Sequence, residues 1–116
     1  MRKLSGEDCL EAIREGEFGP SVTGAAVAVA VVLTQSWCPQ WSWMRSYLDS
    51  MPADAGSEVF WVEYDLEAFF EPFMEFKESS LGNDQVPYVR YYLGGKLAAE
   101  SNYIDSGGFR RRLQGR

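Results

Sequence analysis

The chain has 116 residues, of which 46% are hydrophobic and 24% charged, a composition typical of a globular protein and not of a disordered one. The formal net charge is −6, and an acidic surface repels nucleic-acid backbones, so we expect no nucleic-acid partner. We expect one domain over residues 1–116 and no membrane partner, because the apolar run at residues 25–33 is far shorter than the roughly 20 residues of a spanning helix.

The first predicted element is an amphipathic helix over SGEDCLEAIREG, which starts at a Ser or Asp cap and ends at Gly16. Cys9, Leu10 and Ile13 are predicted to share its buried side. A short strand at residues 2–4 is an open alternative to an irregular start. The stretch EFGPSVTG that follows is predicted to be a loop because of its glycine and proline content.

The run AAVAVAVVL is apolar throughout and rich in valine, which predicts a strand covered on both faces by helices. The segment after it, PQWSWMRSYLDSM, carries apolar residues three or four apart, which predicts a helix. Pro39 suits the first turn of that helix, where its missing N–H costs nothing. Cys38 is therefore predicted to lie at a helix N-terminus, where first-turn N–H groups point at the sulfur and favour the thiolate.

The second half of the chain predicts a strand over SEVFWVEYDL and a helix over FFEPFMEFKESSLG that begins near Pro72. VPYVRYYL and KLAAESNY are predicted to form a hairpin around a Gly-Gly turn. A last helix over DSGGFRRRLQ is predicted to bury Phe109 and Leu113. This order indicates an α/β domain with a mixed four- to five-stranded sheet and helices on both faces.

The sequence contains two cysteines and no histidine, and it therefore lacks the commonest zinc ligand and general base. We expect no metal site. The N-terminus lacks the apolar stretch of a secretory signal, which favours a cytoplasmic location, where no structural disulfide is expected. Cys9 is then expected to be a small buried hydrophobe of the first helix.

Two stretches resemble the thioredoxin family. VVLTQSWCPQW is similar to the strand and the Trp-Cys-x-x-Cys turn of that family, with Trp37 and Cys38 at the Trp-Cys pair. VPYVRYYLGGK resembles the segment in which a cis-proline, here Pro87, precedes a strand and a glycine turn. The resemblance spans almost the whole chain and implies a three-layer thioredoxin-like fold.

The chain departs from the family pattern at two linked positions. Trp41 occupies the place of the second cysteine, so the motif is Cys-x-x-Trp and no disulfide can form within it. Val32 occupies the place of the buried acid that serves the resolving thiol in thioredoxins. The two changes agree, because a site without a resolving thiol has no use for a carboxylate that is costly to bury.

The resemblance implies a monothiol protein in which Cys38 is the catalytic nucleophile, and glutathione or a partner's cysteine resolves the mixed disulfide. We expect protein disulfides or glutathione as partners and no bound cofactor. A Gly-Gly pair like that before the last helix of glutaredoxins is present at residues 107–108, but Phe109 replaces the aspartate that follows it there. The residues implied to contact the substrate are Trp37, Pro39, Gln40, Trp41, Val86 and Pro87.

Two other interpretations remain open, a redox-inactive binding or scaffold protein and a cysteine oxidation sensor. Trp37, Trp41 and Trp43 could form a partner surface, but tryptophans two apart on a helix point to different faces, so at least one is expected in the core. Arg90, set among tyrosines, is expected to form a salt bridge or to reach water. The basic tail FRRRLQGR is expected to be a solvated helix end.

Overall fold

Five strands form a single mixed sheet in the computed structural model, which describes residues 1–52 and 54–115. The strand order across the sheet is β1-β3-β2-β4-β5. The strands are β1 (Arg2–Lys3), β2 (Ala28–Thr34), β3 (Ser57–Glu63), β4 (Tyr88–Leu93) and β5 (Lys96–Ser101). The helices are α1 (Gly6–Glu15), α2 (Pro20–Thr23), α3 (Pro39–Ser50), α4 (Phe70–Glu75) and α5 (Ser106–Leu113).

Strand β2 lies at the centre of the sheet, parallel to β3 and antiparallel to β4. Its side chains alternate between two cores. Val29, Val31 and Leu33 face the first core, which contains residues of α1, α2 and α4. Ala30 and Val32 face the second core, which contains residues of α3 and α5. The predicted α/β architecture, with helices on both faces of a mixed sheet, is therefore confirmed.

Helix α1 starts and ends where the sequence predicts. The Ser5 hydroxyl accepts a hydrogen bond from the Asp8 amide at 3.0 Å, and Gly16 ends the helix with a φ of 80°, which favours glycine. The buried side was predicted incorrectly in part. Cys9 is buried as expected, but Leu10 is 51% exposed because one residue turns the helix by about 100°.

Three further boundaries differ from the predictions. Strand β2 begins at Ala28, and the predicted loop before it contains the short helix α2. Strand β3 stops at Glu63, where a 3₁₀ turn follows. Helix α4 begins at Phe70, two residues before Pro72, because the N–H groups of a first turn need no partner within the helix. A π-helical turn, Phe76–Ser80, continues α4.

Arg90 is buried on the first-core face of β4 and forms the salt bridge that was expected. Its guanidinium pairs with Glu17 and donates hydrogen bonds of 2.8 Å to the hydroxyls of Tyr88 and Tyr92. The hydroxyl of Tyr88 also donates to Glu100. Burial raises the pKa of Tyr88 to about 12, so the cluster holds one cation against two carboxylates and neutral tyrosines.

Helix α5 closes the second core as predicted. Asp105 caps its start by accepting a hydrogen bond from the Gly108 amide at 2.8 Å, and Phe109 and Leu113 are buried. Arg110 and Arg111 are exposed near its end, whereas the last residue of the basic tail lies outside the described residues. Among the described helices, none has both the length and the apolar character that crossing a bilayer requires.

Replacing Cys9 with alanine should flatten the alkaline loss of stability. Burial raises the pKa of the Cys9 thiol from 9.0 to about 12. The contribution of the neutral thiol to the unfolding free energy is therefore complete below pH 9 and is lost as the pH rises toward 12. Relative to the native protein, Cys9→Ala should lose about 1.4 kcal/mol less unfolding free energy per pH unit above about pH 9. Urea unfolding followed by circular dichroism measures this, and equal slopes in the two proteins would contradict it.

Candidate functional site

Cys38 lies at the junction between β2 and α3. It has an extended backbone, with φ −74° and ψ 120°, and its carbonyl accepts the first helical hydrogen bond from the Ser42 amide at 3.2 Å. Pro39 follows at the first helical position. The predicted placement of the thiol at a helix N-terminus is therefore confirmed.

The Cys38 side chain points into the protein and is only 4% exposed. Its sulfur lies 3.7 Å from the carbonyl oxygen of Val86, to which the thiol donates a weak hydrogen bond. Within the described residues, no helix N–H forms a capping hydrogen bond with the sulfur, so the expected amide contacts are not formed.

The Val86–Pro87 segment forms the other half of the site. The peptide bond that joins these residues is cis, and strand β4 begins directly after it. Pairing of Leu33 with Tyr88 sets this segment beside the end of β2 and therefore opposite Cys38. Val86 is half-buried, and within residues 1–52 and 54–115 its N–H has no hydrogen-bond partner. Such a backbone N–H can donate a hydrogen bond to the carbonyl of an extended partner.

The 3₁₀ turn after β3 provides hydrogen-bond partners for the residues that precede Cys38. The carboxylate of Asp65 accepts hydrogen bonds from the Ser36 amide at 2.8 Å and from the Ser36 hydroxyl at 2.6 Å. Gln35 accepts the indole N–H of Trp37 at 2.6 Å and donates to the hydroxyl of Tyr64 at 3.2 Å. These hydrogen bonds therefore fix the turn that precedes the thiol against the segment after β3.

The tryptophans around Cys38 divide between surface and core. Trp37 and Trp43 are 66% and 60% exposed, whereas Trp41 is 1% exposed. The indole N–H of Trp41 donates to Glu63 at 2.9 Å, and Arg45 approaches the same carboxylate oxygen at 3.4 Å. The expectation that at least one tryptophan is in the core is confirmed, and that residue is Trp41. The family resemblance implied Trp41 as a substrate contact, but its side chain faces inward and offers a partner no exposed surface.

Exposed side chains surround the entrance to the site. Pro39 and Gln40 are exposed in the first turn of α3, next to the exposed ring of Trp37. Further along α3, Trp43 packs against Tyr103 with ring centroids 5.9 Å apart. The exposed surface next to Cys38 in the chain therefore combines an aromatic ring, Trp37, with the polar side chain of Gln40.

The glycine pair at residues 107–108 lies in the first turn of α5, where Gly108 has a packing role. A Cβ atom on Gly108 would lie 2.7 Å from the side chain of Ile104, so a larger residue would force a shift there. Phe109 is fully buried, and its ring contacts Tyr91 and Tyr47. Gly108 and Phe109 therefore both serve the packing of the second core.

Sequence reasoning missed Asp65 and Glu63, which hold Ser36 and Trp41. No local sequence pattern marks either residue, because their contacts with the Cys38 segment arise only when β2 pairs with β3. Among the described residues, no group of three or more cysteine, aspartate or glutamate side chains could hold a metal ion. The chemistry that the site can carry is that of a single thiol beside a free backbone N–H.

Comparisons with solved structures identify the architecture. Thioredoxin O2 from Arabidopsis thaliana, in its oxidized state, superposes with a TM-score of 0.66 at 14% identity, covering 97% of this chain and 90% of that one. A mutant thioredoxin from Halobacterium salinarum gives 0.64 at 15% identity, covering 81% and 78%. A buckwheat glutaredoxin in complex with glutathione gives 0.54 at 17% identity, covering 97% and 88%.

The chain has a thioredoxin-like fold. No protein-family profile matches the sequence, and no curated protein matches it either. At this level of identity the thioredoxin-like fold is what the superpositions establish, and the function has to be argued from the site.

Two tryptophan substitutions should separate core from surface within α3. Trp41→Phe removes the indole donor to Glu63 and leaves a cavity, so we expect a loss of about 2–3 kcal/mol of unfolding free energy. Trp43→Phe removes an exposed ring edge and should change the unfolding free energy by less than about 0.5 kcal/mol. Urea denaturation measures both, and similar losses in the two variants would contradict this placement.

Proposed function

We propose that the protein is a monothiol thioredoxin-like protein of thiol–disulfide exchange, with Cys38 as its nucleophile. The observation that carries the proposal is the juxtaposition of Cys38, at the start of α3, with the backbone of Val86. The Val86 carbonyl oxygen lies 3.7 Å from the sulfur, and the Val86 N–H has no hydrogen-bond partner among the described residues. A disulfide substrate could pair its backbone with Val86 while one of its sulfurs meets Cys38. The thioredoxin-like fold of the chain supports this assignment.

The reaction proceeds in two exchange steps. Cys38 loses its proton to solvent, and its thiolate attacks one sulfur of the substrate disulfide, forming a mixed disulfide and releasing the other substrate sulfur as a thiolate. An external thiolate, from glutathione or a partner's cysteine, then attacks the sulfur derived from the substrate. This step releases the Cys38 thiolate and yields a disulfide between substrate and external thiol, so the electrons come from the external thiol.

An external resolving thiol is needed because the chain offers none of its own near the site. Trp41 stands where a second cysteine would lie, and its ring is packed inward against Glu63. Cys9 belongs to the first core and Cys38 to the second, so the sheet separates the two thiols. Both cysteines are free in the structure.

The proposed substrate contacts are Trp37, Pro39 and Gln40 on one side of the thiol, with Val86 on the other. Pro87 and Trp41, which the family resemblance also implied as contacts, are buried and present no surface to a substrate. Glutathione suits a site of this kind because it is a short peptide with backbone groups on both sides of its cysteine. The fold shared with a glutaredoxin–glutathione complex supports glutathione as the co-substrate. A cytoplasmic location, where low-molecular-weight thiols keep cysteines reduced, fits this chemistry.

Reaction with glutathione disulfide tests the proposal. The native protein should gain one glutathione by intact mass, and reduced glutathione should remove it again over repeated cycles. Cys38→Ser should gain none, whereas Cys9→Ala should react like the native protein because Cys9 is fully buried. No adduct on the folded native protein, or an adduct that survives in Cys38→Ser, would contradict the role of Cys38.

A second candidate function is a redox-inactive binding protein, favoured by the 4% exposure of Cys38 beside the exposed rings of Trp37 and Trp43. On that alternative, iodoacetamide should label Cys38 only after unfolding. An oxidation sensor, the third alternative, would form the adduct with glutathione disulfide but would not turn over a second disulfide substrate. The same set of proteins therefore distinguishes all three functions.

A further inference from the structure

Lys77 is a buried cation that plays no part in the proposed chemistry. It lies in the π-helical turn Phe76–Ser80 and is 1% exposed. Within the described residues no carboxylate forms an ion pair with it. Burying an ammonium group without an opposite charge is costly, so its place needs an explanation in terms of what it binds.

The ammonium of Lys77 binds Asn83, in the loop that leads to Val86. It donates to the Asn83 carbonyl at 2.9 Å and approaches the Asn83 side-chain oxygen at 3.3 Å. The backbone N–H of Asn83 in turn donates to the backbone carbonyl of Lys77 at 3.2 Å. Lys77 therefore holds residue 83 through both its side chain and its backbone, and the ring of Tyr88 lies 5.6 Å from the ammonium.

Asn83 passes this constraint to both neighbours of Val86. Its side-chain oxygen accepts the Gln85 amide at 2.9 Å. The side-chain amide of Asn83 also forms hydrogen bonds with the side-chain amide of Asn102, which in turn donates to the Pro87 carbonyl at 3.0 Å. The residues before and after Val86 are thus held by one network. In the described part of the chain the N–H of Val86 has no hydrogen-bond partner, and its carbonyl oxygen lies 3.7 Å from the Cys38 sulfur.

We infer that Lys77 is a positioning residue, which acts through Asn83 and Asn102 to hold the Val86–Pro87 segment against Cys38 in the geometry that receives a disulfide substrate. The chemical consequence rests on the proposed function, whereas the structural part does not. Lys77 touches neither thiol nor substrate. Its contribution is a rigid segment, so that a partner does not have to order the segment on binding.

The charge state of Lys77 lies near the physiological range. Burial lowers its pKa to about 8, and Glu78 and Asp84 oppose that shift. The ring of Tyr88 in β4 also lies against the ammonium, and Arg90 of β4 and Glu100 of β5 both bond to the hydroxyl of that ring. Loss of the proton leaves weaker, uncharged hydrogen bonds to Asn83, so the segment should loosen as the pH rises through 8.

Lys77→Met tests the inference, with Lys96→Met as the matched control because Lys96 is exposed at the start of β5. Hydrogen exchange at the Gln85 amide should become about tenfold faster in Lys77→Met, as expected for one lost hydrogen bond, and should not change in Lys96→Met. Unchanged exchange in Lys77→Met would overturn the inference without bearing on Cys38.

Two reaction rates provide the second readout. When the Val86 carbonyl no longer covers the sulfur, alkylation of Cys38 by iodoacetamide should become faster in Lys77→Met, while exchange with glutathione disulfide should become slower. A general loss of structure would move both rates in the same direction and would overturn the positioning role. If the proposed function fails instead, exchange is absent from the native protein as well, and the hydrogen-exchange result still stands.

A double-mutant cycle with Asn102→Ala tests the route. If Lys77 acts through Asn102, the double variant should alkylate no faster than the faster single variant, because both remove the same support of Pro87. Additive effects would show separate roles and overturn the route.

The pH dependence of alkylation tests the role of the charge. The ratio of alkylation rates between Lys77→Met and the native protein should fall above about pH 8, where native Lys77 also loses its charge. A ratio independent of pH would contradict a role for the charge of Lys77.

Discussion

Strand β2 has water on neither face, because Val29, Val31 and Leu33 enter one core while Ala30 and Val32 enter the other. A strand buried in this way needs helices above and below it and a neighbouring strand along each edge. Its pairing with β3 on one edge and β4 on the other then determines what surrounds its end. Cys38 follows that end, so every part of the candidate site depends on the burial of this strand.

The two neighbours of β2 contribute different parts of the site. Strand β3 ends at Glu63 and leads to Asp65, and these carboxylates hold the Trp41 indole and the Ser36 backbone. The approach to β4 brings the Val86 carbonyl to the sulfur from the opposite side. The thiol is therefore covered by the Val86 backbone, while the segments on either side of it in the chain are held by carboxylates of β3 and the turn after it.

Local patterns predicted most elements correctly, since caps, glycine turns and apolar periodicity act over a few residues. Ser5 and Gly16 marked the limits of α1, and the position of Pro39 marked the start of α3. The errors have physical causes of the same scale. Helical spacing was used to place Leu10 on the buried side with Cys9 and Ile13, but a residue directly after Cys9 is turned away from that side. Pro72 was taken as the start of α4, although proline is tolerated anywhere in a first turn.

The sequence by itself determined that Cys38 follows a buried strand at a helix N-terminus, with tryptophan three residues later. Those features follow from neighbouring residues. Only the tertiary structure decided that the sulfur is nearly buried, that Trp41 bonds to Glu63, and that Lys77 supports the Val86 segment. These contacts join residues brought together by strand pairing and core packing, and no local pattern records a partner that only folding brings within hydrogen-bond distance.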